Sequence, residues 1–163
     1  MPQSFRESLS QMASGENLDA STDEVFRTML GVECERVAEM VTDRLAAELV
    51  TAVVGFGGML SGACVFRCDG ISAVKIAACM TGVPHNSVDG TVKDGIGEIC
   101  NMLAGAWKGR VPGLAAGCGL SLPAVITGSD YRIHVQAPEF QVERSYRFDD
   151  AVFSLTIICD GLQ

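Results

Sequence analysis

Residues 88–108, VDGTVKDGIGEICNMLAGAWK, form the stretch that most limits what this chain can become. At about 100° per residue, Val92, Ile96, Ile99, Leu103 and Ala106 gather on one side of a helix, with Cys100 and Trp107 flanking them. Asp94, Glu98, Asn101, Gly105 and Lys108 gather nearly opposite, with Gly97 beside them. So two-faced a helix must bury one side against another element and present the other to solvent or to a partner. Gly109 and Pro112-Gly113 mark its end, and Ser87 or Asp89 its N-cap.

The segments around it predict a sheet for that apolar side to cover. Leu49 to Phe56 is a dense run rich in valine, Gly57-Gly58 a turn, and Met59 to Cys68 a returning strand. Gly62 inside that strand predicts a bulge or a close backbone approach. Val32 to Val41 reads as a more mixed strand, and Leu120 to Ile126 as a strand interrupted by Pro123, after a flexible link through Gly117 and Gly119. Apolar residues alternate with polar ones at Tyr131–Val135 and Phe140–Phe148, and Phe153, Leu155, Ile157 and Cys159 keep period two, which predicts an antiparallel sheet with one wet face. Two further helices are expected. One holds Leu18, Val25, Phe26, Met29 and Leu30, with Ser21 and Glu24 at capping-box spacing and Gly31 as its stop. The other runs from Ile71 to about Met80. The fold class is therefore α+β: a mostly antiparallel β-sheet with helices packed on one face. Residues 1–16 read as a flexible polar arm and 17–163 as a single domain.

Composition removes several function classes. With 12 Lys+Arg against 20 Asp+Glu, the net charge of -8 argues against nucleic acid, since no counterion release would drive binding. The apolar run Leu49–Leu60 is too short and too broken by glycine to span a membrane, and the N-terminus lacks a signal-peptide pattern. Seven cysteines, an odd count without C-x-x-C spacing, read as reduced, buried thiols of a cytoplasmic protein. No zinc ligand set forms around the two histidines, His85 and His134, so no metal site is expected.

The outer face of the long helix carries the unusual chemistry. Asn competes for backbone hydrogen bonds in a helix interior, and Gly95, Gly97 and Gly105 each cost about 1 kcal/mol relative to Ala. Beside Glu98 and Asn101, such glycines lower the relief so that another molecule can come close, although glycines that pack against the sheet would look the same in sequence. Asp94, Gly97, Gly105 and Lys108 are accordingly read as the partner-contact face. A Gly97→Leu change is expected to spare the fold and block docking. A carboxylate can grip a cation, and an amide can donate and accept and so orient a water. Neither is an obvious covalent nucleophile, so the pair suits the placing of water against a reactive ester, a task dominated by positioning. Other motifs compete poorly. Neither histidine sits in a Ser-His-Asp pattern, Cys118 has no activating neighbour in sequence, and no G-K-[ST] closes a glycine-rich loop.

The run Asp94-Gly-Ile-Gly-Glu98-Ile-Cys-Asn101-Met-Leu-Ala-Gly105 resembles the signature helix of the CheC/CheX/FliY group of chemotaxis phosphatases, most of all its CheX branch. Residues 25–31 (VFRTMLG), 57–62 (GGMLSG) and 120–128 (LSLPAVITG) support the resemblance, which runs from about residue 18 to 160. It implies a protein phosphatase that hydrolyses the aspartyl phosphate of a CheY-like response regulator. Glu98 would pair with the regulator's active-site lysine, and Asn101 would orient the attacking water. The Mg²⁺ would belong to the phosphorylated regulator, so this chain would need no cofactor, and a homodimer formed through sheet edges is implied. CheC-type relatives carry a second acid–amide pair on the first helix; here Glu24 is followed at i+3 by Arg27, so one site per chain is expected. The rival reading is a module of the same fold that binds a regulator or dimerises without accelerating hydrolysis.

Overall fold

The computed structural model describes residues 10, 12–40, 48–129, 134 and 138–162. Helix α1 (Glu16–Val25) continues through a π-helical turn (Phe26–Leu30) and stops at Gly31, whose φ of 68° is the left-handed cap the sequence predicts. It starts earlier than the capping-box spacing suggests, so Ser21 lies inside it and donates to the Asn17 carbonyl at 2.7 Å. Strands β1 (Glu35–Val37), β2 (Leu49–Gly58) and β3 (Leu60–Asp69) follow. Helix α2 (Gly70–Thr81) and the long helix α3 (Gly90–Gly109) come next, then a short turn of helix α4 (Leu114–Gly117). The chain closes with β4 (Cys118–Leu120), β5 (Ala124–Gly128), β6 (Phe140–Phe148) and β7 (Ala151–Leu162).

The seven strands form one sheet in the order β1-β6-β7-β3-β2, with β4 and β5 both pairing with β2. Each of these pairings is antiparallel. Gly62 sits where the β3–β7 register shifts, and a Cβ there would lie 1.9 Å from the Ile158 carbonyl oxygen, so the predicted close approach is real. The starts of α2 and α3 are set by carboxylate caps: Asp69 accepts from the Ser72 amide at 2.7 Å, and Asp89 from the Val92 amide at 2.9 Å.

Alternate residues of the sheet meet the helices. Val50, Ala52 and Val54 of β2, Cys64, Phe66 and Cys68 of β3, and Phe153, Leu155 and Ile157 of β7 are buried with Ile96, Ile99, Leu103 and Trp107 of α3. Phe153 is the hub, stacked on Phe26 at 4.7 Å and on Phe66 at 5.0 Å between ring centres. Trp107 lies 5.4 Å from Phe56, anchoring the far end of α3 on β2. Cys100 reaches the carbonyls of Ala52 and Cys64 at 3.5 Å each, so α3 sits low across β2 and β3.

Several expectations need correction. The mixed strand at 32–41 shortens to β1, with residue 41 outside the described residues. The segment through Gly117 and Gly119 is not a link: α4 and β4 occupy it, with Gly119 paired to Gly57 in place of a simple turn there. The polar face is not wet at the sheet centre. Ser154 and Thr156 are buried, because small side chains on a central strand are screened by Arg67, Ser145, Val65 and Glu143 directly across from them. Within the predicted arm, Met12 is 1% exposed and belongs to the core. The alternating segment Tyr131–Val135 lies outside the described residues apart from its His134, which is exposed.

Candidate active site on helix α3

Helix α3 lies with its apolar stripe on the sheet, as its period demands, so the opposite strip is lifted clear. Asp94 and Glu98 are exposed and Asn101 is half-buried. Among the described residues, neither Glu98 nor Asn101 has a hydrogen-bond or ion-pair partner. A carboxylate and an amide are thus held one turn apart on a rigid helix, with their full capacity for hydrogen bonding unspent.

Two flanks bound this strip. On one side Gly95 faces α2, where a Cβ would meet the Met80 sulfur at 3.6 Å and Ala77 at 3.9 Å. On the other, a Cβ at Gly97 would lie 3.3 Å from Val125 and 3.4 Å from Pro123, and one at Gly105 would lie 4.0 Å from Leu120. Gly97, Asn101 and Gly105 stand at i, i+4 and i+8 along one edge of the helix. The segment between β4 and β5 therefore runs antiparallel to that edge, from Leu120 at Gly105 to Pro123 at Gly97. Residues 121 and 122 join these two contacts.

This geometry sorts the residues read from sequence as a contact face. Asp94, Glu98 and Asn101 share the open strip. Gly97 is buried against β5 and is not part of it. The wheel alone put Gly97 at the border of the two faces, and the β4–β5 segment closes that border. Gly105 is half-buried beside Leu120. Lys108 donates to the carbonyls of Cys118 and Ala115, so its ammonium ties the end of α3 to α4 and β4 rather than awaiting a partner. The expectation that Gly97→Leu would spare the fold is corrected for the same reason, since a Cβ there already meets Val125 and Pro123 and the rest of a leucine must displace them. Leu122, 90% exposed beside the strip, drew no attention in sequence because nothing local distinguishes it from a strand residue.

Competing nucleophiles are disfavoured by their surroundings. The Cys64 thiol is held well above its ordinary pKa by its hydrogen bond with Cys100 and by burial. Burial likewise raises Cys68 and Cys118, so these thiols stay protonated. His85 Nε2 sits 2.9 Å from the Thr81 hydroxyl, closing the loop after α2. Among the described residues, no group of three or more His, Cys, Asp or Glu could hold a metal ion.

The family model described as chemotaxis phosphatase CheX matches residues 50–143, more than half of the chain, and the match includes the whole of α3. A Thermotoga maritima protein named CheY-P phosphatase CheX is 29% identical over 119 residues, covering 71% of this chain and 76% of that protein. Among solved structures, a CheC-like superfamily protein from Shewanella sp. PV-4 superposes with a TM-score of 0.74 at 20% identity, covering 99% of this chain and 100% of that one. The CheX of a CheX-CheY-BeF3-Mg complex from Borrelia burgdorferi superposes with a TM-score of 0.69 at 18% identity, covering 90% and 97%. Both share the α+β fold. With its signature helix inside a match spanning most of the sheet, the chain belongs to the CheX family of chemotaxis phosphatases.

Proposed function

We propose that this protein is a phosphatase for the aspartyl phosphate of a CheY-like response regulator in chemotaxis signalling. The observation that carries the reading is the Glu98–Asn101 pair: exposed or half-buried on the open strip of α3, unpartnered among the described residues, and inside the matched region. A relative is named for this activity, and another has been solved with CheY.

The chemistry assigns one role to each side chain. Glu98 accepts from the ammonium of the regulator's active-site lysine and fixes the docking angle. Asn101 accepts from or donates to a water and holds it in line with phosphorus. Water attacks phosphorus, the bond from phosphorus to the aspartyl oxygen breaks, the carboxylate is regenerated, and inorganic phosphate leaves. The regulator brings the Mg²⁺ that balances charge on the phosphoryl group, and this chain contributes no cofactor of its own. A cytoplasmic location and a homodimer formed through sheet edges belong to the same reading. No helix of the described residues is long and apolar enough to cross a membrane.

The test is the decay of a phosphorylated CheY-type receiver from the same organism, followed with rising amounts of this protein. The rate is expected to rise and saturate. Saturable binding with no change in decay would assign the protein to regulator binding without catalysis.

A further inference from the structure

Leu122 stands out as the most exposed large apolar side chain described, at 90%. Single exposed leucines are ordinary on protein surfaces, so exposure alone carries nothing. Its setting does. Ser121 is pinned to β2 twice, its amide donating to the Gly55 carbonyl at 2.9 Å and its hydroxyl accepting from the Gly55 amide at 2.8 Å. The same hydroxyl donates to the Leu122 carbonyl at 3.0 Å. On the other side, Pro123 abuts Gly97. Leu122 is thus held between two anchored neighbours, in the stretch that joins the contact at Gly105 to the contact at Gly97. Pro123 ends the β4 pairing and lets β5 begin afresh at Ala124, so Leu122 is set outside both strands.

A large apolar side chain, displayed rigidly, loses little conformational entropy when it is covered. Placed next to unspent polar groups, it has the anatomy of an interface anchor, an apolar contact beside a polar centre. We propose that Leu122 is a positioning residue of the phosphatase: it packs on an apolar patch of the receiver domain that flanks the phospho-aspartate while Glu98 and Asn101 engage the active site. This rests on the functional reading above for the identity of the partner. The occupant follows from continuity, because residues 120–123 flank the helix edge that carries Asn101 between Gly97 and Gly105.

The test uses the full chain and the CheY-type receiver of the same organism, activated with beryllofluoride and Mg²⁺, with binding measured by titration. Leu122→Ser is expected to weaken binding by roughly tenfold or more, the loss for uncovering a leucine at an interface. The melting temperature should stay unchanged, because the side chain contributes nothing to the core. Leu122→Met should restore binding. In turnover with phosphorylated receiver, Leu122→Ser should raise the half-saturating receiver concentration and leave the saturated rate within about twofold. Binding by Leu122→Ser equal to wild type overturns the proposal whether or not the protein is a phosphatase, and so does a wild-type chain that fails to bind the receiver. Weakened binding by Leu122→Ser, with no acceleration of decay even by wild type, supports the docking role and overturns the catalytic reading instead.

Discussion

Asn101 is a poor choice for the middle of a helix, and nothing in the fold rewards it. Its side chain makes no hydrogen bond to a described residue, and its neighbours on the same edge are glycines that serve the adjoining segment. Asn101→Ala should therefore be neutral or stabilising by a few tenths of a kcal/mol, read as a small rise in melting temperature. Function and stability would then pull in opposite directions at this position, as is common where a residue is kept for a site. Glu98 obeys the same logic with a different outcome. Glu98→Gln keeps the shape but removes the charge, so receiver binding should weaken several-fold with no change in melting temperature. A titration alongside thermal unfolding checks both. The placing of both side chains on the outer face was legible in sequence because helical period separates the two faces.

At the level of elements, the site depends on how α3 is started and flanked. Asp89 starts it, and Asp89→Ala should cost about 1 kcal/mol through loss of the bond to the Val92 amide, measurable by denaturant unfolding. Gly97 flanks it. Gly97→Leu should destabilise by about 1–3 kcal/mol or more, because the added side chain is driven into Pro123 and Val125. Activity should fall with it, by displacement of the bordering segment rather than by a blocked face. The flanks were hidden from sequence reasoning for a physical reason. A glycine on a helix looks the same whether it opens a surface or admits a neighbour, and only the pairing of β4 and β5 with β2 brings that neighbour to the edge. Lys108 misled in the same way, since its carbonyl partners come from α4 and β4, whose formation the glycines at 117 and 119 concealed.

For the molecule as a whole, period two and period 3.6 were enough to give an antiparallel sheet under helices. They could not show that the polar face closes over at its centre, because that depends on which strands become central. Burial on the core side makes stability sensitive to alkali. Burial, helped by the nearby Asp23 charge, pushes the Cys34 thiol from 9.0 up to about 12, and burial followed by the hydrogen bond with Asp19 holds Tyr146 above its ordinary value. The unfolded chain loses these protons first, so it binds fewer than the folded chain, and stability falls as pH rises. Unfolding free energy should hold up to about pH 9 with respect to Cys34 and decline toward about 12, a trend that urea titrations across that range would reveal. The central claim concerns what this folded body does to a partner, and one comparison reaches it directly. The decay of phosphorylated CheY-type receiver is measured with wild type and with Asn101→Ala at saturating protein, with receiver binding measured in parallel. Wild type is expected to accelerate decay, Asn101→Ala to lose that acceleration by about 10²-fold or more, and both to bind the receiver within a few-fold of each other. Equal acceleration by both proteins, or none by a wild type that binds, would contradict it.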